Sequence, residues 1–169
     1  PTERVRIVEA SHPTPDAAGV VAGREILALA GNANADDLVI ALISGGGSAL
    51  LVSPAEGLSL ADLQGLTASL LACGATINEM NCLRKHCSGV KGGQLARAVA
   101  PATLITLVLS DVIGSPLDVI ASGPTVPDSS TWADAWALVE KYDLAGKLPP
   151  AIVARLQALW ETHRSVVIE

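Results

Sequence analysis

The chain has 169 residues, half of them apolar and only 2% aromatic, with 17 acidic against 11 basic side chains and a net charge of −6. The length suits one domain with a sizeable core, and the acidic balance and scarcity of stacking aromatics exclude a nucleic-acid surface or an anionic membrane as partner. No apolar stretch approaches the ~20 residues of a spanning helix, residues 1–6 do not read as a signal peptide, and Cys73, Cys82 and Cys87 lack C-x-x-C spacing, which points to a reducing cytoplasm rather than disulfides or zinc.

Residues 5–8 form a β-branched run, the first predicted strand. Two prolines in residues 10–16 impose an extended turn. A helix over residues 16–30 follows from the spacing of Val20, Val21, Ile26, Leu27 and Leu29, with Thr14 as N-cap and Gly31 as stop. Strand, helix, strand predicts a right-handed parallel crossover into the apolar run Leu38–Ile43, read as a buried strand. Ser59 with Asp62 three residues later opens a helix over Leu60–Ala72, closed by Gly74. Ile77–His86 is a second helical stretch, and Lys91-Gly92-Gly93 opens a third that reaches Val99.

A further strand is predicted over residues 104–109, followed by a loop punctuated by Gly114, Pro116, Gly123, Pro124, Pro127 and Asp128. Ser130 or Thr131 caps a helix to Tyr142, and Pro149-Pro150 precede a last helix through Trp160, after which residues 166–168 begin another strand. That ending, together with the missing initiator Met, predicts a segment of a longer protein. Alternating strands and helices give an α/β fold with a mainly parallel sheet. Ligands bind beyond the carboxyl ends of such strands, so the loops at residues 11–16, 44–48 and 110–125 are expected to converge.

The stretch of greatest chemical interest is the turn after Leu38–Ile43: Ser44, Gly45, Gly46, Gly47 and Ser48. Consecutive glycines leave backbone N–H groups unshielded, and a helix start beyond them adds partial positive charge, so an anion can sit there. A tight turn that binds nothing is the alternative. Known glycine motifs do not fit: the sixth position of G-x-G-x-x-G counted from Gly45 is Leu50, G-x-S-x-G around Ser48 also fails at Leu50, and no G-x-x-x-x-G-K-[ST] occurs. A nicotinamide cofactor and an acyl-transfer nucleophile are therefore disfavoured.

Asn81, Arg84 and Lys85 share one helix face at i, i+3 and i+4, with Lys91 shortly beyond. Such a face is either merely solvated or a seat for a polyanion; His86 reads as a hydrogen-bonded structural residue. Asp111, at the end of a predicted strand, can hold Mg²⁺ or take a proton from a hydroxyl, or merely cap its loop. Asp118 and Asp128 read as turn residues.

In this order, HPTPDAAG, LISGGGSALL, INEMNCLRKHCSGVKGGQLA and LSDVIGSPLDVIASGPTVPD resemble the amino-terminal domain of the bacterial glycerate 2-kinase family that ends in a MOFRL domain, over residues 8–131. The resemblance implies a Rossmann-like three-layer sandwich forming part of a larger two-domain protein, with residues 1–169 in the amino-terminal domain and the MOFRL-type domain absent. It implies ATP-dependent, Mg²⁺-requiring phosphorylation of the 2-hydroxyl of D-glycerate. Hydroxypyruvate reduction with NAD(P)H is the rival activity, and a non-catalytic nucleotide- or phosphate-binding module is the rival for this segment alone.

Carried across, Ser44, Gly45, Gly46, Gly47 and Ser48 match the family's phosphate loop, and Asn81, Arg84, Lys85 and Lys91 its basic motif. Asp111 matches a catalytic and metal-binding aspartate. Glycine-loop amides would hold phosphate oxygens, Lys85 and Lys91 neutralise developing charge, and Arg84 clamp the substrate carboxylate. His12 and Asp16 match the first motif without an assigned role. Ser115 stands where many relatives carry Asp, and a lysine before and an arginine after this segment belong to the family's site, so the isolated segment is expected to be inactive. Self-association through exposed apolar surface is also expected.

Overall fold

The computed structural model describes residues 4–110 and 116–166. Two parallel strands, β1 (Leu38–Ile43) and β2 (Thr103–Val108), pair in register from Leu38 opposite Thr103 to Ile43 opposite Val108. Between and around them run α1 (Ala17–Gly31), the single turn α2 (Gly47–Leu50), α3 (Leu60–Ala72), α4 (Ile77–His86) and α5 (Gln94–Val99), followed by α6 (Trp132–Lys141) and α7 (Pro150–Val166). This is an α/β fold with an open parallel sheet, as the alternating pattern predicts.

Helix boundaries follow local chemistry. At α3 the Ser59 hydroxyl accepts from the Asp62 amide while the Asp62 carboxylate accepts from the Ser59 amide. The same reciprocal box starts α4 with Thr76 and Glu79 and α6 with Thr131 and Asp134. At α1 the cap is Asp16 rather than the expected Thr14, because its carboxylate reaches the Gly19 amide at 2.8 Å. Asn32, not Gly31, ends that helix.

Three expectations about strands are corrected. Residues 5–8 are exposed extended chain and not a strand, since β-branched propensity alone does not make one. The β1 strand is not buried on both sides. Its burial alternates, because the helices cover one face while Leu38, Ile40, Leu42, Ile105 and Leu107 on the other are exposed, Leu42 to 76%. Val166 belongs to the end of α7 rather than to a further strand, and residues 167–169 lie outside the described residues.

Two apolar clusters hold the structure. Leu27, Ala30, Val39, Leu95, Val99 and Leu104 seat α1 and α5 on the covered face of the sheet. The larger cluster is helical: Leu66 and Leu70 of α3, Leu83 of α4, Val139 of α6, and Ile152 and Leu156 of α7 are almost completely enclosed. This bundle grips α4 from behind and fixes which residues it presents forward.

Candidate phosphate-binding site

A cavity of about 310 Å³ opens where the three predicted loops meet: it is lined by His12, Pro13 and Pro15 from the first, Gly45, Gly46 and Ser48 from the second, and Val119, Ile120 and Ala121 from the third. Helix α4 contributes Ile77, Asn81 and Arg84. Each wall has a local cause. The β1 strand ends at Ile43, and Gly46 enters the left-handed region at φ 80°, where L side chains are strained, letting the chain turn at once into α2. With a single turn, α2 adds little dipole. The anion-binding capacity rests on separate donors instead.

Those donors are free. The backbone amides of Gly45, Gly46 and Gly47 meet no acceptor among the described residues. The half-buried Arg84 guanidinium pairs with no described carboxylate, and burial lowers its pKa from the ordinary value. The Asn81 side chain, 4% exposed, accepts at Oδ1 from the Ser122 hydroxyl at 3.1 Å, which leaves its amide N–H₂ for the cavity. Ser48 Oγ and Ser122 Oγ are 2.8 Å apart. Ser122 has one hydroxyl proton and uses it on Asn81, so Ser48 is the donor between the two hydroxyls and turns its lone pairs outward.

Lys91 stands beneath the loop. Its Nζ donates to the carbonyl oxygens of Ser48 at 2.8 Å and Leu51 at 3.0 Å, tying down the end of α2. Burial pushes its ammonium pKa down to about 7, and the nearby Arg84 charge acts in the same direction. The third wall is strained: Ala121 at φ 51° and Ser122 at φ 61° are left-handed without being glycine. They are held by the Gly92 amide on the Ser122 carbonyl at 3.1 Å and the Gly93 amide on the Gly123 carbonyl at 2.8 Å. A Cβ on Gly47 would come within 2.9 Å of Ala121 Cβ, so the glycine permits this close approach.

Of the residues singled out in the sequence, Gly45, Gly46, Ser48, Asn81 and Arg84 line one cavity, and Gly47 and Lys91 brace it. Ser44 follows the strand without lining the cavity. Lys85 departs from the Asn81 and Arg84 face: its ammonium bonds Asp128 at 3.3 Å and lies 3.6 Å from Asp118, in a separate crevice with Gly92 and Trp132. Asp118 and Asp128 are thus charge partners rather than simple turn residues. His86 is buried and its Nδ1 bonds the Cys82 carbonyl at 2.9 Å, a structural role. Asp111 and Ser115 lie outside the described residues. Ser122, which is not among the candidate site residues read from the sequence, joins the glycine loop to α4 through Ser48 and Asn81.

The chain is similar to several known proteins. A family model described as a domain of unknown function, DUF4147, matches residues 1–157. A D-glycerate 2-kinase of Thermotoga maritima is 51% identical over 144 residues, which are 85% of this chain and 34% of that protein. A protein of Agrobacterium vitis under a provisional hydroxypyruvate reductase name is 54% identical over 151 residues, 89% of this chain and 39% of the relative. Among solved structures, a Pyrococcus horikoshii protein superposes with a TM-score of 0.91 at 43% identity, covering 96% of this chain and 37% of that one. A glycerate kinase of Thermotoga maritima gives a TM-score of 0.86 at 47% identity, covering 92% and 37%. The chain therefore spans little more than a third of the length of these relatives.

Proposed function

The chain belongs to the DUF4147 family, and we propose that it supplies the phosphate- and substrate-binding part of a glycerate 2-kinase, which transfers the γ-phosphoryl group of ATP to the 2-hydroxyl of D-glycerate. One observation carries this reading. The cavity gathers the amides of Gly45 and Gly46, the Asn81 amide and the Arg84 guanidinium, with no carboxylate among its described lining residues. A donor-rich, acid-free pocket suits a ligand made of anionic oxygens. Both glycerate and a terminal phosphate are such ligands. Its volume of about 310 Å³ accommodates a small acid beside one phosphate group, leaving the rest of the nucleotide toward the open side.

In this reading the glycine-loop amides hold phosphate oxygens, Arg84 engages the substrate carboxylate in bidentate fashion, and Asn81 donates a further hydrogen bond. Lys91 acts through the loop it braces, and its charge adds to the positive potential beneath the phosphates. Lys85 is the weaker contributor because two carboxylates already neutralise it. No group of three or more His, Cys, Asp or Glu side chains that could hold a metal stands among the described residues. The reading assigns to Asp111 the carboxylate that would hold Mg²⁺ beside the nucleotide's phosphates. When bound, the ion neutralises charge on the transferred group.

The reductase named for one relative is the less favoured reading, since the chain has no dinucleotide fingerprint. No described helix is long and apolar enough to cross a membrane, and a cytoplasmic location accords with the unpaired cysteines. The test is turnover by the full-length polypeptide with ATP and D-glycerate, identifying the product by ³¹P NMR. Formation of 2-phosphoglycerate is the expected result. No phosphorylated product, or oxidation of NADH or NADPH with hydroxypyruvate instead, overturns the reading.

A further inference from the structure

His12 borders the cavity, and nothing derived so far gives it a task. Its place is set by Asp16, whose carboxylate accepts from the Ser11 amide at 3.0 Å and from the Gly19 amide at 2.8 Å, closing the loop onto the start of α1. The Gly19 amide first, and the Ser11 side chain next, hold the Asp16 carboxyl below its usual pKa, so it stays a firm anchor. The loop leaves the imidazole over the glycine turn: a Cβ on Gly46 would lie 3.5 Å from His12 Cδ2 and 3.7 Å from Nε2.

The ring is exposed and makes no hydrogen bond with any described residue. Among the described lining residues only His12 and Arg84 ionise. A guanidinium does not give up its proton at any accessible pH, the loop and Asn81 amides are donors, and the lone pairs of the Ser48 hydroxyl belong to too weak a base to take a proton. The imidazole is therefore the described group there with a nitrogen lone pair free to take a proton.

We propose that His12 is a further catalytic residue, the proton acceptor for the substrate hydroxyl in phosphoryl transfer. This rests on the kinase reading above. The hydroxyl oxygen forms a bond to the γ-phosphorus of ATP as the bond from that phosphorus to the β–γ bridging oxygen breaks. The bridging electron pair leaves with ADP. The hydroxyl proton passes to the free imidazole nitrogen and from there to water. Among the described residues, the charges near the ring are Arg84, which lines the same cavity, and Asp16 in its own loop, the latter engaged by backbone amides.

The test compares wild-type full-length polypeptide with His12→Gln and His12→Ala, measuring kcat and KM for ATP and D-glycerate against pH. Exposure of the side chain lets both variants fold, which equal thermal midpoints verify. The proposal expects kcat to fall about 100- to 1,000-fold in His12→Gln with KM for ATP within about twofold. It also expects an acid limb of slope one in the wild-type profile that is absent from the variant, and partial rescue of His12→Ala by added imidazole. A variant kcat within about threefold of wild type, or an unchanged acid limb, overturns the assignment while leaving the kinase reading intact. A wild-type protein that makes no phosphoglycerate overturns both.

Discussion

Lys91 and Ser48, 43 positions apart, are joined by a 2.8 Å hydrogen bond from the buried ammonium to the serine carbonyl oxygen, and the same ammonium reaches Leu51 at 3.0 Å. A lysine read in the sequence as facing phosphate is thereby seen to face the backbone that would hold it. The glycine loop owes its shape to this clamp below and to Ser122 and Asn81 behind.

The clamp has a pH signature. Burial, with Arg84 adding to it, lowers the Lys91 pKa from 10.5 to about 7 in the fold. Between those values the unfolded chain binds the proton that the folded chain has shed, so stability rises with pH across that window and is lost as pH falls back toward 7. Lys91→Met removes this rise. It also leaves the Ser48 and Leu51 carbonyls without a donor, at a cost of about 1–3 kcal/mol in the alkaline part of the window. Urea midpoints of the two proteins measured near both ends of the window check the prediction.

Arg84 presents the opposite balance: a half-buried cation with no described partner contributes little to folding and much to anion binding. Arg84→Ala should lower affinity for ADP or inorganic phosphate by about tenfold or more, on the ~1.5–3 kcal/mol scale of charged hydrogen bonds. Stability should stay level or rise, since the substitution also relieves repulsion on Lys91. Calorimetric titration alongside thermal melting separates the two effects.

Two glycines of α1 should respond with opposite signs to the same change. Nothing lies within 4 Å of a Cβ on Gly31, so Gly31→Ala gains helix propensity of about 0.5–1 kcal/mol. A Cβ on Gly23 would sit 2.1 Å from the Val52 carbonyl oxygen, and backbone has to move. Gly23→Ala is therefore expected to cost about 2 kcal/mol or more. Chemical denaturation of both variants tests this.

Glu79 ties α4 to α6. Hydrogen bonds from Lys141 above all, then Thr76 and Tyr142, bring its carboxyl pKa down from 4.5 to about 2. Folding stability from this group is complete above 4.5 and disappears as pH falls toward 2. In Glu79→Gln that part of the acid transition should be missing. A comparison of acid-unfolding curves followed by circular dichroism reads it directly.

Much of the frame was legible from residues alone. The helices Leu60–Ala72 and Ile77–His86 appear with the predicted limits, and Ser59 with Asp62 forms its reciprocal cap. Such features close within three or four residues, so local spacing contains the whole interaction. The convergence of the loops after β1 and β2 also followed, because parallel strands put their carboxyl ends on one edge. The strand at residues 5–8 did not form, because β propensity is a weaker local signal than a helix cap.

The sequence by itself determined where most helices start and stop and where the chain can turn left-handed, at Gly46. Tertiary structure decided which residues act together. Arg84 and Lys85 are adjacent in the chain, yet one faces the cavity and the other lies against Asp128, 43 positions away. Packing of α4 on α3, α6 and α7 sets that rotation, and a buried charge then pairs with whatever carboxylate the fold has brought within reach. Such pairing depends on distance in space, so local sequence spacing could not disclose it.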